Sequence, residues 1–116
     1  MSDTSHVRAT VTLTSSESKR IIGKAVACID IVKHALEESS VVIGVGSTNS
    51  FVAEELTGRK VDKEHYSSGI ITPRGWGVTN IAKKLNSLWI KQGEVSSIQW
   101  AEWPKICDQL GSEDVY

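Results

Sequence analysis

With 116 residues, 40% of them hydrophobic and 23% charged, the chain has the size and make-up of one globular domain that can bury a core without disulfide staples. Thirteen Lys and Arg against fourteen Asp and Glu leave a net charge of -1, without the basic surplus of a nucleic-acid binder. No apolar run approaches the ~20 residues of a membrane helix.

"MSDTSHVRAT" has no hydrophobic signal core, so a cytoplasmic protein is expected. "VRATVTL", Val7 to Leu13, alternates apolar and polar residues with period two, which predicts a strand with one solvated face. Thr14 and Glu17 have the spacing of a capping box. From there Ile21, Ala25, Ile29, Val32 and Leu36 recur at steps of three and four, predicting one amphipathic helix from Glu17 to Glu38. Cys28 falls inside that pattern and reads as a small buried hydrophobe in a reducing compartment. Cys107 is remote from it, and with no CxxC pair neither zinc nor dithiol chemistry is indicated. His6, His34 and His65 lack metal-ligand spacing, so no metal is expected.

"VVIGV" is a short strand whose unbroken apolarity predicts burial on both faces, as in a parallel sheet. A helix follows from Thr48 to Leu56, with Val52, Ala53 and Leu56 inward and Gly58 as its left-handed terminator. "RKVDKEHYSS" reads as a charged connection; within it His65 beside carboxylates could transfer protons, but no nucleophile accompanies it. "GIITP" is a short strand stopped by Pro73, and Trp76 to Thr79 a second one. Leu88 and Ile90, then Val95 and Ile98, flank Gln92-Gly93 as a hairpin. A short helix follows Pro104, with Ile106 and Leu110 on its inner face. The final "EDVY" has the look of a strand beginning. The chain therefore reads either as the N-terminal portion of a larger fold or as a domain completed by a partner.

Chemistry concentrates at the join between "VVIGV" and the helix after it. Gly44 and Gly46 allow close approach of a ligand, Ser47, Thr48 and Asn49 add short donors, and the first amides of a helix lack internal acceptors. These features define either a phosphate site or a plain helix cap. No Lys follows Gly46 as a Walker loop requires, and Asn49 stands where a dinucleotide fingerprint needs Gly. In "TPRGWG", Arg74 could grip an anion and Trp76 could stack on a base or sugar, or both could belong to a surface turn. Trp89, Trp100 and Trp103 read as core or subunit contacts, since basic residues do not interleave with them.

"VVIGVGSTNSFVAEEL" resembles the first strand–turn–helix of the ribose-5-phosphate isomerase, glucosamine-6-phosphate deaminase and CoA-transferase superfamily, and the turn in sensor domains of sugar-phosphate-responsive transcription regulators. The similarity covers residues 17–58. It implies that Gly44, Gly46, Ser47, Thr48 and Asn49 contact a phosphate or the phosphate-bearing part of CoA. The acidic and Lys-Gly segments that serve catalysis in those isomerases have no counterpart here, and no glutamate nucleophile can be placed.

The expectation is thus a single α/β domain over residues 1–116: a small, mostly parallel, Rossmann-like sheet with flanking helices and a three-layer tendency, plus an antiparallel hairpin. It would bind a phosphorylated small molecule, a sugar phosphate or CoA-like ligand, through Gly44, Gly46, Ser47, Thr48, Asn49 and Arg74. Two alternatives stand beside this: part of an enzyme whose catalytic segment lies outside the chain, and a structural or interaction domain that binds no ligand. No cofactor, nucleic acid or membrane is expected, and a homo-oligomer is, because an open sheet edge seeks cover.

Overall fold

The computed structural model of the protein describes residues 6–116. Thr14 caps α1 (Ser15–Ala27): its side chain accepts from the Glu17 amide, and Glu17 accepts from the Thr14 amide in return. The single helix expected over 17–38 is two. The backbone turns extended at Ile29, and a new helix, α2 (Asp30–Glu38), starts after it. The break lets the two halves serve different neighbours. Gly23 brings α1 against the backbone of the third helix, where a Cβ would lie 3.0 Å from the Phe51 carbonyl. On α2, Val32 and Ala35 are buried. Cys28, at the break, is exposed rather than buried.

Four of the strands are β1 (Ser40–Ile43), β2 (Gly69–Thr72), β3 (Gly75–Val78) and β4 (Leu88–Lys91); β5 (Glu94–Ser97) completes the set. The third helix, α3 (Ser47–Thr57), ends at Gly58 with φ 68°, the left-handed terminator the sequence predicts. A 3₁₀ turn (Trp100–Glu102) leads into α4 (Trp103–Gln109).

The mostly parallel, Rossmann-like sheet is not what forms. β1, β4 and β5 make an antiparallel sheet in that order, and β2 with β3 makes a separate antiparallel hairpin. Among the described residues the parallel pairing is one isolated bridge, between Val41 and Val115. Unbroken apolarity in β1 does report burial on both faces, but it carries no information about strand direction. Val41 and Ile43 face a cluster with Ala35, Ala53, Tyr66 and Ile90. Val42 points the other way, toward Ile98 and Ile106, with Trp89 and Trp103 packed alongside. Helices cover both sides of an antiparallel sheet here, and each face selects the same residue types. The hairpin turn forms as expected: Gln92 takes φ 51° and Gly93 φ 84°, the paired positive values of a tight two-residue connection between β4 and β5.

The strand expected over Val7 to Leu13 is absent. These residues are exposed and form no backbone hydrogen bond among the described residues. The tail instead reaches β1: the Val42 amide donates to the Val115 carbonyl at 2.8 Å, and the Val115 amide to the Ser40 carbonyl at 3.0 Å. Asp114 clamps this contact. One of its oxygens accepts from both the amide and the hydroxyl of Ser40, and the other from the Gly111 amide. The bond from Gly111, then those from Ser40, hold its carboxyl below the usual range. No described helix is long and apolar enough to cross a membrane.

Candidate functional site

The turn between β1 and α3 is built from outside itself. Gly46 occupies φ 156° and ψ 152°, a conformation that side chains rarely adopt. Its amide donates to the Tyr66 carbonyl at 2.8 Å, and the Tyr66 hydroxyl donates to the Ile43 carbonyl at 2.8 Å. One residue thus pins both sides of the turn. Tyr66 is 1% exposed, so "DKEHY" is not wholly the solvated connection the sequence predicts. Burial raises its hydroxyl pKa to about 12, which keeps it a donor at neutral pH.

The first hydrogen bond of α3 runs from the Ser50 amide to the Gly46 carbonyl. Among the described residues, the amides of Ser47, Thr48 and Asn49 find no acceptor, and no side chain caps them. A short hydroxyl did not become the cap, because Gly46 holds the cap position and the Ser50 hydroxyl turns back to the Ser47 carbonyl. Asn49 donates its side-chain amide to the Gly44 carbonyl at 3.0 Å and so braces the turn. Lys19 of α1 extends its ammonium to the Ser47 hydroxyl at 3.0 Å. Pattern reading passed over Lys19, because it belongs to an amphipathic helix and reaches the turn only through the tight α1–α3 crossing at Gly23.

Two depressions flank this helix start. One, about 540 Å³, is lined by Lys19, Ser47, Phe51, Lys63 and Gly69–Ile71. The other, about 640 Å³, joins Gly44, Val45 and Asn49 to Lys84, Trp100, Trp103 and Tyr116. Trp103 and Tyr116 meet edge to face at 6.1 Å, and the Tyr116 hydroxyl stands where a Cβ on Gly44 would be 3.1 Å away. Gly44, Gly46, Ser47, Thr48 and Asn49 are therefore gathered at one place.

Arg74 is not gathered with them. It sits in the two-residue turn of the β2–β3 hairpin, makes no ion pair among the described residues, and lines neither depression. The expectation placed its loop beside the glycine turn through parallel strands; instead β2 sits in a separate hairpin that borders one depression through Gly69–Ile71 and carries Arg74 at its tip, outside both.

Behind the turn, Glu54 joins α1, α3 and the following loop. It accepts from Arg20 at 2.6 Å, Lys63 at 2.7 Å and the Val61 amide at 2.9 Å. Burial alone would raise its pKa; the bonds from Lys63, Val61 and Arg20 outweigh burial and hold it at about 2. Both cations also approach the Phe51 ring, whose centre is 4.7 Å from the Arg20 guanidinium carbon and 5.0 Å from the Lys63 ammonium. His65 approaches Asp62 at 2.6 Å, which lowers the Asp62 carboxyl. Among the described residues, no three His, Cys, Asp or Glu side chains converge as a metal site.

No family model, curated protein or solved structure matches the chain.

Proposed function

We propose that the chain binds a phosphorylated small molecule of the CoA or nucleotide type, with a phosphate at the start of α3. The observation that carries this reading is the set of three unengaged amides, Ser47 to Asn49, beside the Lys19 ammonium. Aligned amides and the helix dipole favour an anion there, and a fixed cation adds to the attraction. The resemblance of the Gly-Val-Gly-Ser-Thr turn to phosphate-binding turns supports the same assignment. Of the two ligand types that resemblance implies, the aromatic wall of Trp100, Trp103 and Tyr116 favours one carrying a flat ring over a bare sugar phosphate. A cytoplasmic location fits the two free, exposed cysteines.

Calorimetric titration with inorganic phosphate, ribose 5-phosphate and ADP tests the reading. ADP is expected to bind most tightly, and Lys19→Ala to weaken all three by about 1–3 kcal/mol. No heat with any of the three at millimolar concentration rejects the anion site. Equal affinity for ADP and ribose 5-phosphate rejects the aromatic contribution alone.

A further inference from the structure

The β2–β3 hairpin leaves its apolar side bare. The register pairs Ile71 with Trp76 and Gly69 with Val78, so Ile71, Trp76 and Val78 share one face. They are 89%, 79% and 75% exposed, and neighbouring Ile70 and Ile81 are 54% and 87% exposed. Ile70 pairs with Gly77 and lies on the opposite face, so this side is Ile71, Trp76 and Val78, of which the Trp76 ring alone offers on the order of 200 Å²; contiguous exposed apolar patches mark interaction sites. Two strands alone are marginal in water. The radius of gyration, 16.8 Å, exceeds the roughly 13 Å of a compact chain of this length.

A second unsatisfied element has the complementary pattern. Val7, Ala9, Val11 and Leu13 alternate with polar residues at strand period, yet the segment pairs with nothing among the described residues, and Val7 and Val11 are 98% and 70% exposed. The outer edge of β3 likewise has no strand partner among the described residues. We propose that Val7–Leu13 of a second copy of this chain adds to the outer edge of β3 and sets its apolar side chains beside Trp76 and Val78 on the same face. Main-chain pairing supplies the register and the alternate side chains supply the contact.

The exchange is reciprocal, as a two-fold dimer requires: each copy gives a strand and receives one. The exchange engages apolar side chains on both elements of each copy, Trp76 and Val78 on the hairpin and Val7, Val11 and Leu13 on the added strand, and the two contributions count together toward the ~800 Å² per partner of a standard interface. One strand laid on one hairpin within a single copy covers that surface once and leaves no association between copies, which gives the test its contrast.

Sedimentation velocity of the full chain from about 1 to 200 µM, which spans micromolar dissociation constants, reads the association. The expected result is a dimer that Trp76→Asp and removal of residues 1–13 each convert to monomer, with helical circular dichroism retained. Ile71→Asp serves as a second hairpin variant should Trp76→Asp impair folding. In a Cys28→Ser, Cys107→Ser background, Val11→Cys with Val78→Cys should crosslink between chains on mild oxidation. A monomer at every concentration overturns the proposal. A dimer that persists in either altered chain, or a crosslink formed within one chain, overturns it too.

Discussion

β1 with its glycine turn and the β2–β3 hairpin are built from similar material and end in opposite states. Each strand has four residues, each region carries glycines and β-branched or aromatic side chains, and each lies next to a charged connection. Every residue of β1 is buried, whereas every residue of β2 is exposed. The difference lies in what surrounds them. β1 receives cover from helices on two faces, from β4 along one edge, and from the Asp114-clamped tail along the other. The hairpin receives its own second strand, a few bonds at its base, among them that from the Thr79 amide to the Ser68 carbonyl, and an open depression between Gly69–Ile71 and the body. Local strand preference is thus enough to pair two segments but not to bury them. The first region holds its shape through the body of the protein; the second depends on what it meets.

The contrast is widest at Tyr66. Tyr66→Ala removes a buried ring and the geometry of both anchors at the turn, and is expected to cost about 3–5 kcal/mol in denaturant unfolding. Trp76→Ala removes a larger ring from the hairpin and is expected to cost within about 0.5 kcal/mol at dilution, where exposed positions carry little stability. Comparable losses at the two positions would mean that the hairpin is packed on the body after all.

Next comes the charge network behind the turn. Glu54 titrates at about 2 in the folded chain against an ordinary value of 4.5. A group depressed in this way contributes stability that is present above pH 4.5 and lost as pH falls toward 2. Asp114 and Asp62, also lowered, act in the same direction at the acid end. The unfolding free energy should therefore be flat from pH 7 to about 5 and then decline. Glu54→Gln should cost about 3 kcal/mol at pH 7, because it leaves Arg20 and Lys63 without their partner, and should shallow the acid decline. An unchanged pH profile in that variant would take Glu54 out of the network. The hairpin has no comparable group, so acid should loosen the α1–α3 crossing before it alters the Trp76 environment, which the fluorescence of a variant keeping Trp76 as its one tryptophan reads (the chain has four).

Local signals were legible wherever short-range chemistry decides the outcome. The Thr14–Glu17 cap, the Gly58 terminator and the Gln92-Gly93 turn each rest on residues within four positions of one another, and each forms as the pattern predicts. The free amides of α3 follow from the same kind of reading. Strand direction did not follow, since the two-sided burial of β1 looks the same beneath antiparallel neighbours. The break at Ile29 was hidden because the apolar stripe continues across it. Tyr66 and Lys19 were out of reach for a related reason: both meet the turn through contacts 20 or more positions away in sequence, and no periodicity encodes those. Arg74 was drawn toward the site by an assumed parallel arrangement, and it leaves with that arrangement.

The smallest expected effect tests that departure. Arg74 lies at the hairpin tip with an exposed side chain and no ion pair among the described residues, and the depressions beside α3 are lined by other residues. Arg74→Ala should leave stability within about 0.5 kcal/mol and phosphate affinity within about twofold, a change under roughly 0.5 kcal/mol. Lys19, 28 positions from Ser47 in sequence but 3.0 Å from its hydroxyl, should by contrast lower phosphate affinity more than Arg74 does when it is replaced by Ala. A loss of tenfold or more on removing Arg74 would mean that the hairpin folds down over the glycine turn when an anion is present. The exposed hairpin and the anchored turn would then be two halves of one site, and the contrast between them would hold only without the anion.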